Sequence, residues 1–208
     1  MFNLKLVDIS KASINSISDS FNQLPKTEHR DGEYRLRRYS SVRLSKSDGF
    51  KYKKLQSEPF NQSVKYNQYQ GGVPRHFEEV EDDVIESLGM LEICDAFTES
   101  CGFTDEHTID IHQMRILTEG KTVPVSPEGV HQDGYRYIAI VGINRKNVDG
   151  GDLLVFREQK GYPFLGMVMQ PGEMVIINDR QLWHSAKPIR TIDIENIGYM
   201  DAIILTAG

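Results

Sequence analysis

Three residues can be read together as a metal clamp. His131 and Asp133 stand in Pro127–Gly134, "PEGVHQDG", and His184 stands in "NDRQLWHSAKPI". Two imidazoles and one carboxylate form the facial ligand set of non-haem Fe(II), which leaves open coordination positions for chemistry. Residues i and i+2 of an extended segment share a face, so one segment can aim His131 and Asp133 at the same point. The third ligand must then arrive from a distant strand. Two other readings stay open from these residues alone. His131 and Asp133 could be polar residues of a turn, with His184 a buried ring beside Trp183. The same three ligands would also suit zinc in a metallohydrolase, although no HExxH-type general base accompanies them. His112 lies in "HQMR", where alternation would place Gln113 and Arg115 on the cavity face and His112 on the other.

The elements that must position these residues follow from periodicity. Residues 10–24 carry Ile14, Ile17 and Phe21 at helical spacing, with Ser10 as cap and Pro25 as stop. Residues 78–101 predict one long helix, with Val84, Leu88, Leu91, Cys94, Phe97 and Cys101 on its buried face and Gly102 ending it. Its acidic start suits the helix dipole. Between these helices, "EYRLRRYSSVRLSK" and "FKYKKLQ" read as strands, and "YNQYQGGVPRHF" as a loop. Beyond residue 105 the chain is dense in short β-rich runs: "TIDIHQMRILT", "YRYIAIVGIN", "GDLLVFRE", "FLGMVMQ", "EMVIIND" and "GYMDAIILTA". Turn residues separate them, including Gly150-Gly151, which reads as a tight turn. The fold class is α+β, a β-sandwich or barrel heart with helices packed outside. We read residues 1–208 as a single domain, in which the helical and strand region 1–105 completes a core formed by 106–208.

Composition narrows the function. With 208 residues, 39% hydrophobic and 26% charged, the chain can bury a substantial core. A net charge of -6 argues against a nucleic-acid binder or a membrane-surface protein. No apolar run is long enough to span a bilayer, and the N-terminus lacks a signal-peptide core. Two cysteines, Cys94 and Cys101, fit a reduced cytoplasmic protein with both thiols in the core of a helix.

The longer strings "PEGVHQDGYRYIAIVGINRKNVDGGDLLVF" and "NDRQLWHSAKPIRTIDIENIGYMDAIILTA" resemble the bacterial 2-oxoglutarate/Fe(II)-dependent dioxygenases that include the L-isoleucine 4-hydroxylase group. "YNQYQGGVPRHFEEV" and "IHQMRI" are similar to the same pattern, so the resemblance covers roughly residues 30–206. It implies a double-stranded β-helix, or jelly roll. It implies Fe(II) held by His131, Asp133 and His184, with 2-oxoglutarate and O2 as cosubstrates. It also implies hydroxylation of an unactivated C–H bond in a small-molecule substrate, a free L-amino acid or similar. Arg37, Arg38 and Arg75 are candidates to grip such a substrate, and Trp183 to wall its site.

One position departs from the family pattern. The resemblance leads us to expect an Arg before the Asp of the last strand, gripping the far carboxylate of 2-oxoglutarate. This chain has Gly198-Tyr199-Met200-Asp201, and a thioether cannot pair with a carboxylate. Arg190 and Arg115 are the expected substitutes, with Gln113 and Thr206 as further contacts to the cosubstrate. The loss also keeps open a protein that binds 2-oxoglutarate or another small molecule without turning it over.

Overall fold

The computed structural model describes residues 2–44, 51–67, 69–104 and 107–208. Chain order runs β1 (Leu4–Asp8), α1 (Lys11–Ser18), β2 (Arg35–Leu44), β3 (Tyr52–Lys54), α2 (Asp82–Ile85), α3 (Leu88–Cys101), β4 (Thr108–Thr118), β5 (Tyr137–Lys146) and β6 (Val148–Gly150). It continues with β7 (Leu153–Phe156), β8 (Pro163–Met167), β9 (Glu173–Asn178), β10 (Trp183–Ala186), β11 (Ile189–Thr191) and β12 (Gly198–Ala207). Seven strands form one sheet in the order β1-β9-β5-β12-β4-β2-β3, and all its pairs are antiparallel. A three-stranded sheet, β10-β7-β8, and a strand pair, β11-β6, form the opposing layer. This is the double-stranded β-helix that the family resemblance implies, mostly β with few helices.

Every strand run beyond residue 105 in the sequence contains a strand here, and four short strands appear where none was expected. They are β1, β6, β10 and β11, of three to five residues each, too short for alternation to announce them. β1 joins the edge of the large sheet beside β9, while β2 and β3 extend its other side. The expected strand residues Ser45, Lys46 and Phe50 lie outside the described residues.

The first helix forms as expected. Ser10 caps it, its hydroxyl accepting from the Ser13 N–H at 3.2 Å, and its last turn tightens into a 3-10 helix over Asp19–Gln23. The second expected helix is instead two. α2 stops at Ile85, and Ser87 starts α3 with an N-cap bond from Met90. A cap resets helical phase. The buried side of α3 therefore carries Met90, Ile93, Cys94 and Phe97, and Leu88 stands 59% exposed where a continuous helix would have buried it. Gly102 adopts the left-handed conformation that ends α3. Both thiols are free, Cys94 buried and Cys101 half-buried.

The large sheet has an apolar layer on each face. Its outer face, with Ile109, Ile111, Ile203 and Leu205, packs on α1 and α3. Its inner face, with Ile138, Val175 and Ile177, packs on Leu153 and Val155 of β7. A further inner cluster joins Met114, Ile116, Val148, Ile189 and Met200. The candidate site lies within this inner layer. No helix among the described residues is long and apolar enough to cross a membrane.

Candidate metal centre and its cavity

His131 and His184 are far apart in sequence and adjacent in space because an isolated antiparallel bridge joins them. Each backbone N–H donates to the other's carbonyl at 2.9 Å. Their rings stand 4.3 Å apart between centroids, and both residues are buried. Asp133 completes the group. Its Oδ1 is 3.6 Å from His131 Nε2 and its Oδ2 is 3.4 Å from His184 Nε2. One ligand atom from each residue falls within 4.8 Å of the others.

Supporting contacts fix which atoms face inward. His131 Nδ1 lies 2.9 Å from the Gly129 carbonyl, which makes Nδ1 the N–H donor and leaves the Nε2 lone pair for a cation. The Asp179 carboxylate sits 3.7 Å from His184 Nδ1. It also accepts the backbone N–H groups of Asp133, Gly134 and Tyr135 at 3.1, 2.8 and 3.2 Å, so it pins the turn that carries Asp133. Burial and the neighbouring Asp133 raise the pKa of Asp179. Gln62 donates to Asp133 Oδ1 at 2.9 Å, and its own carbonyl accepts from Asn67 and Arg75, both at 3.0 Å. The stretch that carries Gln62 and Asn67 is thereby tied to the ligand cluster, with Arg75 bonded beside it. Gly134 lets it close: at φ +93, a Cβ there would meet the Tyr66 ring at 2.6 Å.

The electrostatics suit a cation. Burial opposes ionisation of Asp133, but hydrogen bonding and charge from His131 and His184 outweigh it and hold the carboxyl well below its usual range. Burial likewise opposes a proton on His131, yet Asp133, Glu128 and the Gly129 carbonyl raise its pKa to about 9. Asp133 and Glu128 thus set a negative potential at His131 Nε2, where a bound cation would take the place of a proton. Two imidazoles and a carboxylate with inward lone pairs fit Fe(II) in kind and number.

We expect Asp179→Asn to lower metal affinity about 10- to 100-fold, the usual cost of losing a carboxylate that orients ligands. Competition against a chelating dye measures it. Unchanged affinity would show that the turn holds its shape without the Asp179 charge.

The cluster opens on a cavity between the two layers. β4 turns the opposite side chains toward it from those expected. His112, Met114 and Ile116 line the cavity, whereas Gln113 and Arg115 face the helices. Gln113 donates to Ser20 at 2.7 Å. Arg115 clasps Asp201 at 2.6 and 2.8 Å and reaches Asn22 at 2.9 Å, so neither is placed to touch a molecule in the cavity. Both faces of β4 are apolar enough that alternation does not say which is inward. His112 stands outside the metal cluster, packed between Tyr39 and Phe60 and kept neutral by burial and Arg37.

The remaining candidates divide. Thr206, Arg37 and Arg75 line the cavity. Arg38 is turned outward to Glu78 and Glu81. Arg190 is a surface residue of β11, its side chain 69% exposed and paired with Asp149 at 2.9 Å. Trp183 flanks His184 but does not line the cavity.

Arg37 is the unusual one. It is 7% exposed and forms no ion pair among the described residues. Its contacts are the Met114 sulfur at 3.4 Å and the Phe77 ring at 5.1 Å. Burial, then Arg35 and Arg75, depress its pKa to about 9. Sequence reasoning missed four residues here: Arg35, Gln62, Asp179 and Glu128. Glu128 lines the cavity with Oε1 at 3.5 Å from His131 Nε2, and its buried Oε2 has no partner among the described residues. Its place inside "PEGVHQDG" was the signal available for it. Gln62 reaches Asp133 across 71 residues, and nothing local marks it.

Comparisons with known proteins bear on the fold and family. A family model described as 2OG-Fe dioxygenase matches residues 18–206. The fold is similar to that of a bsmA homolog from Methylobium petroleophilum PM1, with 24% identity and a TM-score of 0.78 over 99% of this chain and 88% of that one. It is similar to IDO from Bacillus thuringiensis, with 19% identity and a TM-score of 0.76 over 98% and 93%. The Fe(II)/(alpha)ketoglutarate-dependent dioxygenase TqaL aligns at 14% identity with a TM-score of 0.73 over 99% and 82%. No curated protein matches the sequence.

Proposed function

The chain belongs to the 2OG-Fe dioxygenase family, whose members use Fe(II), 2-oxoglutarate and O2, and from that premise we propose that it hydroxylates an unactivated C–H bond of a free L-amino acid or a similar small molecule. His131, Asp133 and His184 would hold the iron. Bound iron and 2-oxoglutarate supply oxygen activation, with succinate and carbon dioxide as co-products. The protein's part is to bind, orient and keep water out.

One observation carries the substrate reading. The cavity beside the ligand cluster holds a buried guanidinium, Arg37, and a buried carboxylate oxygen, on Glu128, neither of which has an ion-pair or hydrogen-bonding oxygen or nitrogen partner among the described residues. A buried polar group left unpaired is costly, so the guanidinium calls for an anion and the free Glu128 oxygen for a hydrogen-bond donor. A zwitterion answers both, its carboxylate on Arg37 and its ammonium on Glu128, with Arg75 nearby. Apolar side chains of Phe60, Met114, Ile140 and Leu153 line the same space and suit a substrate with an aliphatic body. The resemblance of the "PEGVHQDG" region to the L-isoleucine 4-hydroxylase group supports the same class.

The test supplies Fe(II), 2-oxoglutarate and a panel of L-amino acids, and follows succinate together with a product heavier by one oxygen. Free amino acids should react, and their esters and N-acetyl derivatives should not. Equal reaction of the blocked forms would overturn zwitterion recognition. Succinate formed without any hydroxylated amino acid would overturn the substrate class.

A further inference from the structure

We infer that Arg145 holds the distal carboxylate of 2-oxoglutarate, supplying from β5 the charge that Met200 denies on β12. The inference rests on the family's cosubstrate and is independent of the amino-acid reading. A dicarboxylate whose 2-oxo-acid end faces the metal must bury its second carboxylate, and a buried carboxylate needs a cation.

Arg145 is placed for this by a β-bulge. Along β5, Ile138 and Ile140 line the cavity, and unbroken alternation would send position 145 to the outer face. The register between β12 and β5 shifts, however: Ala202 pairs with Gly142 and Asp201 with Asn144, so Ile143 is the extra residue. The shift makes Arg145 the direct partner of Met200, and directly paired residues project to the same face. Met200 lines the cavity. Arg145 therefore turns to the cavity side of the sheet one strand away from the expected position; it does not itself line the cavity, but its guanidinium lies behind Gly151 and Met200, which do.

Its guanidinium is held and incomplete. Nη2 donates to the Gly150 carbonyl at 2.6 Å, while the buried Nη1 has no partner among the described residues. Gly151 leaves the approach open. It lines the cavity at φ +73, and a Cβ there would stand 2.9 Å from Met200 Sδ and 3.1 Å from Arg145 Nη1. The sulfur and the free N–H thus flank one small space that a side chain at 151 would fill. The other cations expected for this role are committed elsewhere, Arg115 to Asp201 and Arg190 to Asp149.

The experiment is a calorimetric titration of the Mn(II)-loaded protein, which needs neither turnover nor an amino acid. Two ligands are compared: 2-oxoglutarate, and 2-oxopentanoate, which has the same chain length and a methyl group in place of the distal carboxylate. Arg145→Met should weaken 2-oxoglutarate about 10- to 100-fold, as expected for a lost charge-assisted contact, and leave 2-oxopentanoate essentially unchanged. Arg145→Lys should fall between, and Arg145→Met/Met200→Arg should regain most of the affinity. Arg190→Gln should bind 2-oxoglutarate as the wild type does. Wild-type affinity for 2-oxoglutarate in Arg145→Met overturns the inference, and so does an equal loss for both ligands. Loss in Arg37→Gln with none in Arg145→Met would place the carboxylate on Arg37 and also overturn it.

Discussion

Asp133→Ala is expected to abolish both metal-induced stabilisation and 2-oxoglutarate turnover. Asp133 is the anion between two imidazoles, its oxygens 3.6 and 3.4 Å from their Nε2 atoms. Without it the cluster keeps two neutral donors and loses the charge that favours a divalent cation over water. The loss should exceed the roughly 10- to 100-fold that a supporting residue costs. Thermal unfolding reads it without a substrate. A metal at about 100 times its Kd stabilises a folded protein by about 2.7 kcal/mol, which for a chain of this size raises Tm by roughly 5–10 °C. The wild type should show that rise with Fe(II) under anaerobic conditions or with Mn(II), and Asp133→Ala should show none. His184→Ala should behave alike. A variant that keeps the full shift would mean that the cation sits elsewhere, and the ligand assignment would fall with it.

The ligand cluster was legible in the sequence because its logic is local. His131 and Asp133 share one extended segment, and the strand pattern leaves His184 a route back to them. A β-sandwich or barrel core was legible because short β-rich runs separated by turn residues fill the second half of the chain, and the jelly roll itself was implied by the family resemblance. What was hidden depended on parity and on distant contacts. β4 is apolar on both faces, with Ile109 and Ile111 toward the helices and Met114 and Ile116 toward the cavity. Its alternation could not assign an inside, and Gln113 and Arg115 were placed on the wrong side. The bulge at Ile143 leaves no mark in "YIAIVGINRK", yet it decides where Arg145 points. Ser87 stood visibly inside the 78–101 run, but a serine caps a helix only where the chain around it turns. Gln62 and Asp179 were beyond reach because each joins the site through contacts dozens of residues away in sequence.

Arg115→Met should be among the most destabilising single substitutions in the chain, although Arg115 lies outside the cavity. Its partner Asp201 is 1% exposed and pairs through both oxygens. Removing one member of a buried ion pair strands the other charge, at a cost of about 3–5 kcal/mol. That is a large share of the stability of an ordinary domain and corresponds to a fall in Tm of roughly 10–15 °C. The pH dependence identifies the cause. Burial already raises the Asp201 pKa above 3.8 despite Arg115, and without Arg115 it must rise further. A carboxyl whose folded pKa exceeds its unfolded value favours the folded state below the unfolded pKa, and that advantage is lost as pH rises through the folded one. The Tm gap between wild type and Arg115→Met should therefore be wide at neutral pH and narrow toward about pH 4. A gap that stays constant over that range would assign the damage to lost packing against Asn22 and the Tyr199 ring instead. Replacing both partners, as in Arg115→Met/Asp201→Leu, should recover most of the loss, because a well-packed apolar pair removes the stranded charge altogether. Folded Arg115→Met, held well below its Tm, should still bind 2-oxoglutarate with wild-type affinity. That separates the buttress on the outer face of the sheet from the arginine on the inner one.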